Sequence, residues 1–415
     1  MKLFIGLASG AALLAALAFR HEARQPAAAT AAVPAYHPAA RPAAPGAAAS
    51  RVVAAATAFL ATLSASQRDT LVQQFTATKA ARWSNLPAGF VPRLGLRLAD
   101  LSATQTAAAL AVVQAATGTA ANEGFDEIQQ LRAADDNLRA APPTSGPGGG
   151  PPPGGPPPGM SGPPPGMSGP PPGMRRGPGS GPPKLGGDDY GSGVYFIAFL
   201  GTPSETGTWM LQFGGHHLAT NITFRQGAVV GATPKFEGVE PLRFTTANDK
   251  VLPKSTTYAP LSAEAAALLA LLKELTPTQR QQAKLSQTFF DVVLGPGQDG
   301  NFPATKVGLP GSAFTAAQQQ LVLAALKPWV QDSDDATAAR LLADYARQLP
   351  TTYLAYAGTG NFTSSGDYLR LDGPGVWLEF VCQNGIIYHG QIHYHSIWRD
   401  HTRDYGGEFS GAVRK

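Results

Sequence analysis

The 415-residue chain carries eight histidines. Six of them fall in two short stretches. The first is Gly214-Gly215-His216-His217, and the second runs from His389 through His393 and His395 to His401. Imidazole nitrogen is a good ligand for zinc, copper, iron and nickel, so histidines at close spacing point to a divalent transition metal. His393 and His395 are two residues apart. On a β-strand that spacing puts both rings on one face, about 7 Å apart at Cα. Paired glycines before His216 allow the backbone to bend or to approach a neighbour closely. If 209–224 is one long strand bent at Gly214-Gly215, His216 and His217 face opposite ways and only one enters a given site. The pattern predicts a metal centre drawn from His216, His217, His393 and His395, with an open position that activates water or dioxygen.

Carboxylates and guanidiniums follow the same segments. Glu379 precedes a turn expected at Asn384-Gly385, which would return it to the face of the His-x-His strand. The run Arg399-Asp400-His401-Thr402-Arg403-Asp404 is dense in ionisable groups. Glu379, Arg399, Asp400 and Asp404 are therefore the expected catalytic groups, with Glu379 or Asp404 as a further ligand. Two other readings stand beside this one. In a metal-free site, His393 or His395 is a general base and Arg399 and Arg403 hold an anion. Alternatively the histidines make ordinary hydrogen bonds, and Arg399-Asp400 and Arg403-Asp404 are salt bridges pinning a loop.

The elements that must position these residues divide into helical and extended stretches. Residues 51–140 read as helical, with a 3.6-residue apolar period from Val52 to Leu63. Ser66-x-x-Asp69 and Ser102-x-x-Gln105 are expected caps, and Arg82 to Pro87 is a polar-aromatic loop. Helices are expected again at 262–275, from Thr276-Pro277, at 315–330 and at 335–349. Strands are expected at 194–200, 209–224, 351–356, 368–371, 376–382 and 386–398. Helices and strands are segregated rather than alternating. The expected class is α+β, a helical N-terminal part packed with a mostly antiparallel sheet.

Low-complexity segments punctuate this plan. Lys2 precedes an apolar run from Leu3 to Phe19, the form of a secretory signal, or of an uncleaved membrane tether. Residues 20–50 read as an Ala/Pro-rich tether. Between Pro142 and Pro183, 32 of 42 residues are Pro or Gly, and Pro-Pro-Pro-Gly-Met recurs three times at a seven-residue step. Thioethers can hold copper(I), but an extended spacer does not pre-organise them, so 142–186 reads as a disordered linker inserted in a loop. It separates 51–141 from 187–415, taken as parts of one domain, with two domains as the alternative. Charged residues make up 14% of the chain and the net charge is +4, too thin for a nucleic-acid footprint. Cys382 is the lone cysteine, which excludes an intrachain disulfide and suits an exported protein if it is buried. No Gly-x-Ser-x-Gly, His-Glu-x-x-His or P-loop pattern occurs.

Gly214-Gly-His-His-Leu218 with Asn221, Gly375-Val-Trp-Leu-Glu-Phe380, and His393-Tyr-His-Ser-Ile-Trp-Arg-Asp400 closing with Asp404-Tyr-Gly406 together resemble one family. It is domain of unknown function 3500, common in exported bacterial proteins. The resemblance covers most of 51–415, including Arg82-Trp83, and the Pro/Gly/Met segment departs from it as an insertion. It implies no substrate and no catalytic residue. The expected function is an exported metal-dependent enzyme, an oxidoreductase or hydrolase acting on a small or polymeric extracellular ligand. The alternatives are a non-catalytic metal- or ligand-binding protein and a structural protein of the cell envelope.

Overall fold

Four helices begin with the same device. Ser64, Ser102, Thr276 and Thr315 each accept the N3 backbone N–H, while Gln67, Gln105, Gln279 and Gln318 reach back to the cap. The boxes are also joined in pairs. Gln105 Nε2 donates to Gln67 and to the Thr62 carbonyl, and Gln318 Nε2 donates to Gln279 and to the Glu274 carbonyl. The cap of the second helix is Ser64, not Ser66. That helix stops at Leu71, where Val72 turns extended to pair with the sheet.

The computed structural model describes residues 47–141 and 189–409. The expected signal, nearly all of the tether and the Pro/Gly/Met linker lie outside these residues; the first helix begins at Ala47, inside the expected tether. The helices are α1 (Ala47–Ala61), α2 (Ala65–Leu71), α3 (Ala77–Ala80), α4 (Ala103–Ala116), α5 (Phe125–Ala140), α6 (Ser262–Lys273), α7 (Pro277–Ala283), α8 (Ala316–Gln331) and α9 (Asp335–Gln348). The strands are β1 (Val72–Gln73), β2 (Leu96–Arg97), β3 (Phe196–Leu200), β4 (Thr208–Gly215), β5 (Leu218–Arg225), β6 (Ala228–Gly231), β7 (Lys235–Val239), β8 (Phe244–Thr245), β9 (Thr257–Tyr258), β10 (Leu309–Pro310), β11 (Tyr353–Ala357), β12 (Tyr368–Asp372), β13 (Trp377–Asn384) and β14 (Ile392–Arg399). The protein is α+β. One large sheet runs β1-β3-β4-β5-β7-β14-β13-β12-β11-β10, antiparallel except between β1 and β3, with β2 against β3 and β6 against β5. Since β1 and β2 pair with β3, the stretch read as helical also supplies edge strands.

This strand order is close to a palindrome about the β7–β14 seam, and the two halves use similar local segments. Leu63-Ser-Ala-Ser-Gln-Arg68 matches Leu275-Thr-Pro-Thr-Gln-Arg280, and Gly95–Gln105 matches Gly308–Gln318. Leu96 pairs with Ile197 as Leu309 pairs with Leu354. Val72 lies parallel to Phe199 as Lys284 lies parallel to Tyr356. Gly95 and Gly308 both have positive φ, and a Cβ on either would strike the carbonyl of Ile197 or Leu354. The two pairs of segments are similar rather than identical, and they lie too far apart in the chain to stand out as repeats.

Two sequence expectations change here. Residues 209–224 form a hairpin, β4 and β5, with Gly215 paired to Leu218 and His216-His217 as its loop. His217 has φ 57°, a turn conformation no continuous strand would need. Asn384-Gly385 is not a two-residue turn either. Asn384 pairs with Ile392, and the loop between is held by Glu240, whose Oε1 accepts from the Ile387 and Tyr388 N–H groups at 2.7 Å each.

Both faces of the sheet are buried. The helices cover one with a core that includes Phe59, Trp209, Leu272 and Trp329. Loops cover the other around Trp83, Phe236, Phe289, Val381, Ile397 and Tyr405. Cys382 is buried and its thiol is pushed up by that burial. Among the described residues, no helix is long and apolar enough to cross a membrane.

Candidate metal centre

The β7–β14 seam and the β4–β5 hairpin meet on the loop-covered face. His395 pairs with Gly238 across the seam. That glycine is required by close approach: a Cβ there would lie 2.8 Å from the His395 ring and 3.0 Å from the His217 ring. The Gly238 N–H also donates to the His217 carbonyl at 2.8 Å, and the His217 N–H donates to Asn85 O at 3.0 Å. Arg93 ties the Asn85 loop to the hairpin, donating to Ser84 O at 2.8 Å and Gly215 O at 3.2 Å. Burial lowers its pKa to about 10.

These constraints converge three imidazoles. His217, His393 and His395 each place a ring nitrogen within 4.8 Å of the other two. His393 Nε2 and His395 Nε2 are 3.2 Å apart. Two nitrogens on one tetrahedral zinc would lie roughly 3.3 Å apart, given metal–nitrogen bonds of about 2.0–2.1 Å. All three histidines are buried, His393 to 1% exposure. Burial first, and then the neighbouring rings, push His217 well below the ordinary histidine range and His393 down to about 3. Both are therefore neutral at pH 7, the form that ligates metal.

Carboxylates orient the rings from behind. His395 Nδ1 donates to Asp291 Oδ1 at 2.9 Å and also lies 2.8 Å from the Gln383 amide. Partial desolvation beside the buried ring would raise Asp291, but the His395 ring and its hydrogen bond outweigh it and lower this half-exposed carboxyl. A proton fixed on Nδ1 leaves the His395 Nε2 lone pair facing His393. In a metal-free hydrogen bond, His393 would protonate Nε2 and bury a bare Nδ1 lone pair. His393 and His395 would both offer Nε2 to a cation, and the buried His393 Nδ1, which has no hydrogen-bond partner among the described residues, would then carry the proton.

His216 stands one layer out. It stacks on His217 with centroids 3.7 Å apart, and its Nδ1 donates to buried Asp135 at 2.7 Å. Asp135, His216 and His217 also form a close group of possible ligands. The two adjacent histidines therefore act on the same side, which the bent-strand expectation did not allow; the turn at His217 is the reason.

The expected catalytic groups are brought near the seam but committed elsewhere. Glu379 accepts from Val293 N at 2.5 Å, Leu294 N at 2.8 Å, Trp377 Nε1 at 2.6 Å and Tyr368 OH at 2.8 Å. It holds the loop that carries Asp291 rather than joining the ligands. Arg399 bonds the Leu294 and Gly295 carbonyls, Asp299 and Asp404. Asp404 also accepts the Asp400 N–H, and Asp400 accepts from Thr402 and Arg403. His401 stacks on Phe302 and bonds Asp372. Nothing local marks Asp291 or Asp135, which lie 104 and 81 residues from His395 and His216.

The family described as "Protein of unknown function (DUF3500)" matches residues 45–407. The chain belongs to this family. No curated protein and no solved structure matches it. In this DUF3500 protein the quoted signatures fall around the site: Gly214–Leu218 spans the hairpin loop, Gly375–Phe380 carries Glu379, and His393–Asp400 covers most of β14. A small cleft of about 250 Å³, counted with its open mouth, shares Ser84, Arg93, Gly214 and Leu218 with this neighbourhood.

Proposed function

We propose that this protein is an exported metal-dependent enzyme, a hydrolase or oxidoreductase, with a transition metal held by His217, His393 and His395. The observation that carries this reading is the convergence of three buried imidazoles whose ring nitrogens lie within 4.8 Å of one another. Zinc, copper, iron or nickel suits that donor set, and with three protein ligands it would supply Lewis acidity or a site for dioxygen. Asp291 holds the His395 tautomer, Gly238 makes room for two rings, and Glu379 fixes the loop bearing Asp291. Leu86, Phe90, Phe290 and Val293 are exposed on the two loops that flank the histidines, which favours a substrate with apolar groups. The apolar run after Lys2 and the single cysteine support export.

A second reading, a metal-binding protein without catalysis, is favoured by the small cleft and the 1–7% exposure of the four histidines. The test is elemental analysis of protein purified without a His tag, beside a His393→Ala/His395→Ala variant. About one equivalent of one transition metal, lost in the variant, is expected. Equal substoichiometric metal in both would remove the basis of either reading. Hydrolytic and oxygen-consumption assays of the loaded protein then separate enzyme from binder.

A further inference from the structure

On the opposite, helix-covered face, the same seam buries charge. Glu123 lies just before α5 and Glu127 in its first turn, while Asp332 follows α8. One oxygen from each lies within 4.8 Å of the other two. Their relative exposures are 7%, 1% and 2%. A calcium coordination sphere, with oxygens at about 2.3–2.6 Å from the ion, spans distances of this size. Asp332 Oδ1 is oriented by the Gly124 N–H at 2.6 Å.

A separate element points into this group. Glu237, on β7, is fully buried; its Oε1 is ion-paired with Lys235 Nζ at 2.6 Å, and its Oε2 finds no hydrogen-bond partner among the described residues. Lys235 also pairs with Asp332. Glu264 on α6 brings a further buried oxygen without a hydrogen-bond partner, as does Glu127. Lys235 is the ammonium these five carboxylates share, and it cannot neutralise them. Leaving such oxygens both charged and unpartnered in a dry interior is costly.

We infer that Glu123, Glu127 and Asp332 hold a hard divalent cation, calcium or manganese, with Glu237 behind them. The ligands are all oxygen, which selects against the metals suited to the histidine site. The dryness of the site disfavours magnesium, which keeps several waters. This site is independent of the proposed histidine centre.

The full chain, stripped with EDTA and dialysed, is titrated with CaCl2, MnCl2 or MgCl2 while binding is followed by calorimetry and Tm. Saturable binding of about one calcium or manganese is expected. The accompanying Tm rise should be roughly 5 °C at a hundredfold excess over Kd. Glu127→Gln should lose the binding and the rise, while His393→Ala/His395→Ala should keep both. Manganese EPR of the wild-type chain supplies a readout if Glu127→Gln fails to fold. No bound manganese at millimolar concentration, or equal responses of wild type and Glu127→Gln, would overturn the assignment and leave a proton-sharing cluster.

Discussion

The two faces of the β7–β14 seam solve the problem of buried polarity in opposite ways. The loop-covered face holds His217, His393 and His395, of which His217 and His393 are kept neutral by burial and need no counter-charge. The helix-covered face holds Glu123, Glu127, Glu237, Glu264 and Asp332 around the single ammonium of Lys235. Alternation along one strand is sufficient to separate them, because Lys235 and Glu237 point one way and Phe236 and Gly238 the other. Soft nitrogen donors and hard oxygen donors are thus kept apart by the thickness of one sheet. The contrast teaches that what is buried beside a strand depends on its covering layer: loops bring backbone N–H groups and aromatic rings, helices bring their terminal carboxylates.

Removing Lys235 breaks the comparison on its charged side and is expected to have the largest effect. Lys235→Met leaves the carboxylates with no ammonium in a fully buried setting. Stability should drop by about 3–5 kcal/mol, the usual cost of breaking a buried pair. Urea denaturation at pH 7 in EDTA measures it. A loss below about 1 kcal/mol would mean that the ion pairs of Lys235 with Glu237 and Asp332 contribute little to the fold.

The faces should also respond to pH with opposite signs when no metal is bound. Glu123, Glu264 and Asp332 have folded pKa values raised to about 9, 8 and 7 by burial and neighbouring carboxylates. The folded chain then holds protons that the unfolded chain releases, so stability falls as pH rises from about 4.5 to 9. His393 is depressed to about 3 by burial and the His395 ring. The unfolded chain takes up a proton there that the folded chain refuses, so this contribution falls as pH drops from about 6.5 to 3. Each proton contributes at most about 1.4 kcal/mol per pH unit. Chemical denaturation in EDTA should therefore place maximum stability at about pH 4–6, with several carboxyls outweighing one histidine above it. A profile flat from pH 5 to 9 would show that the acidic cluster is not held protonated.

Much of this arrangement was written in local patterns. The caps at Ser102, Thr276 and Thr315, the strand carrying His393 and His395, and the antiparallel α+β class follow from short-range rules. So did the four histidines as a group. What local patterns cannot carry is pairing between distant segments. Nothing near Asp291 announces His395, and Glu379 looked like a ligand because its strand face is right while its hydrogen-bond partners come from the loop at Val293 and Leu294. The acidic cluster is drawn from four separate regions and leaves only Glu123 and Glu127, four apart, as a local sign. His216-His217 was misplaced by a turn-versus-bend choice that adjacent glycines leave open.

Asp291 offers the finest test of the separation between the faces. Its side chain is 53% exposed, so Asp291→Asn should change stability by no more than about 0.5 kcal/mol. The amide can still accept from His395 Nδ1, but it lacks the charge that raises the basicity of the imidazole. Loss of such an outer partner typically weakens metal binding by about 10–100-fold. Competition against a chromogenic chelator measures that change for zinc, and calorimetry follows calcium in the same preparation. Zinc affinity should fall while calcium binding stays at its wild-type value, because the substitution lies across the sheet from Glu127. If both fall together, the two faces are not insulated, and the sheet transmits the change. If neither falls, Asp291 is a surface neighbour of His395, and the tautomer is set by Gln383 instead.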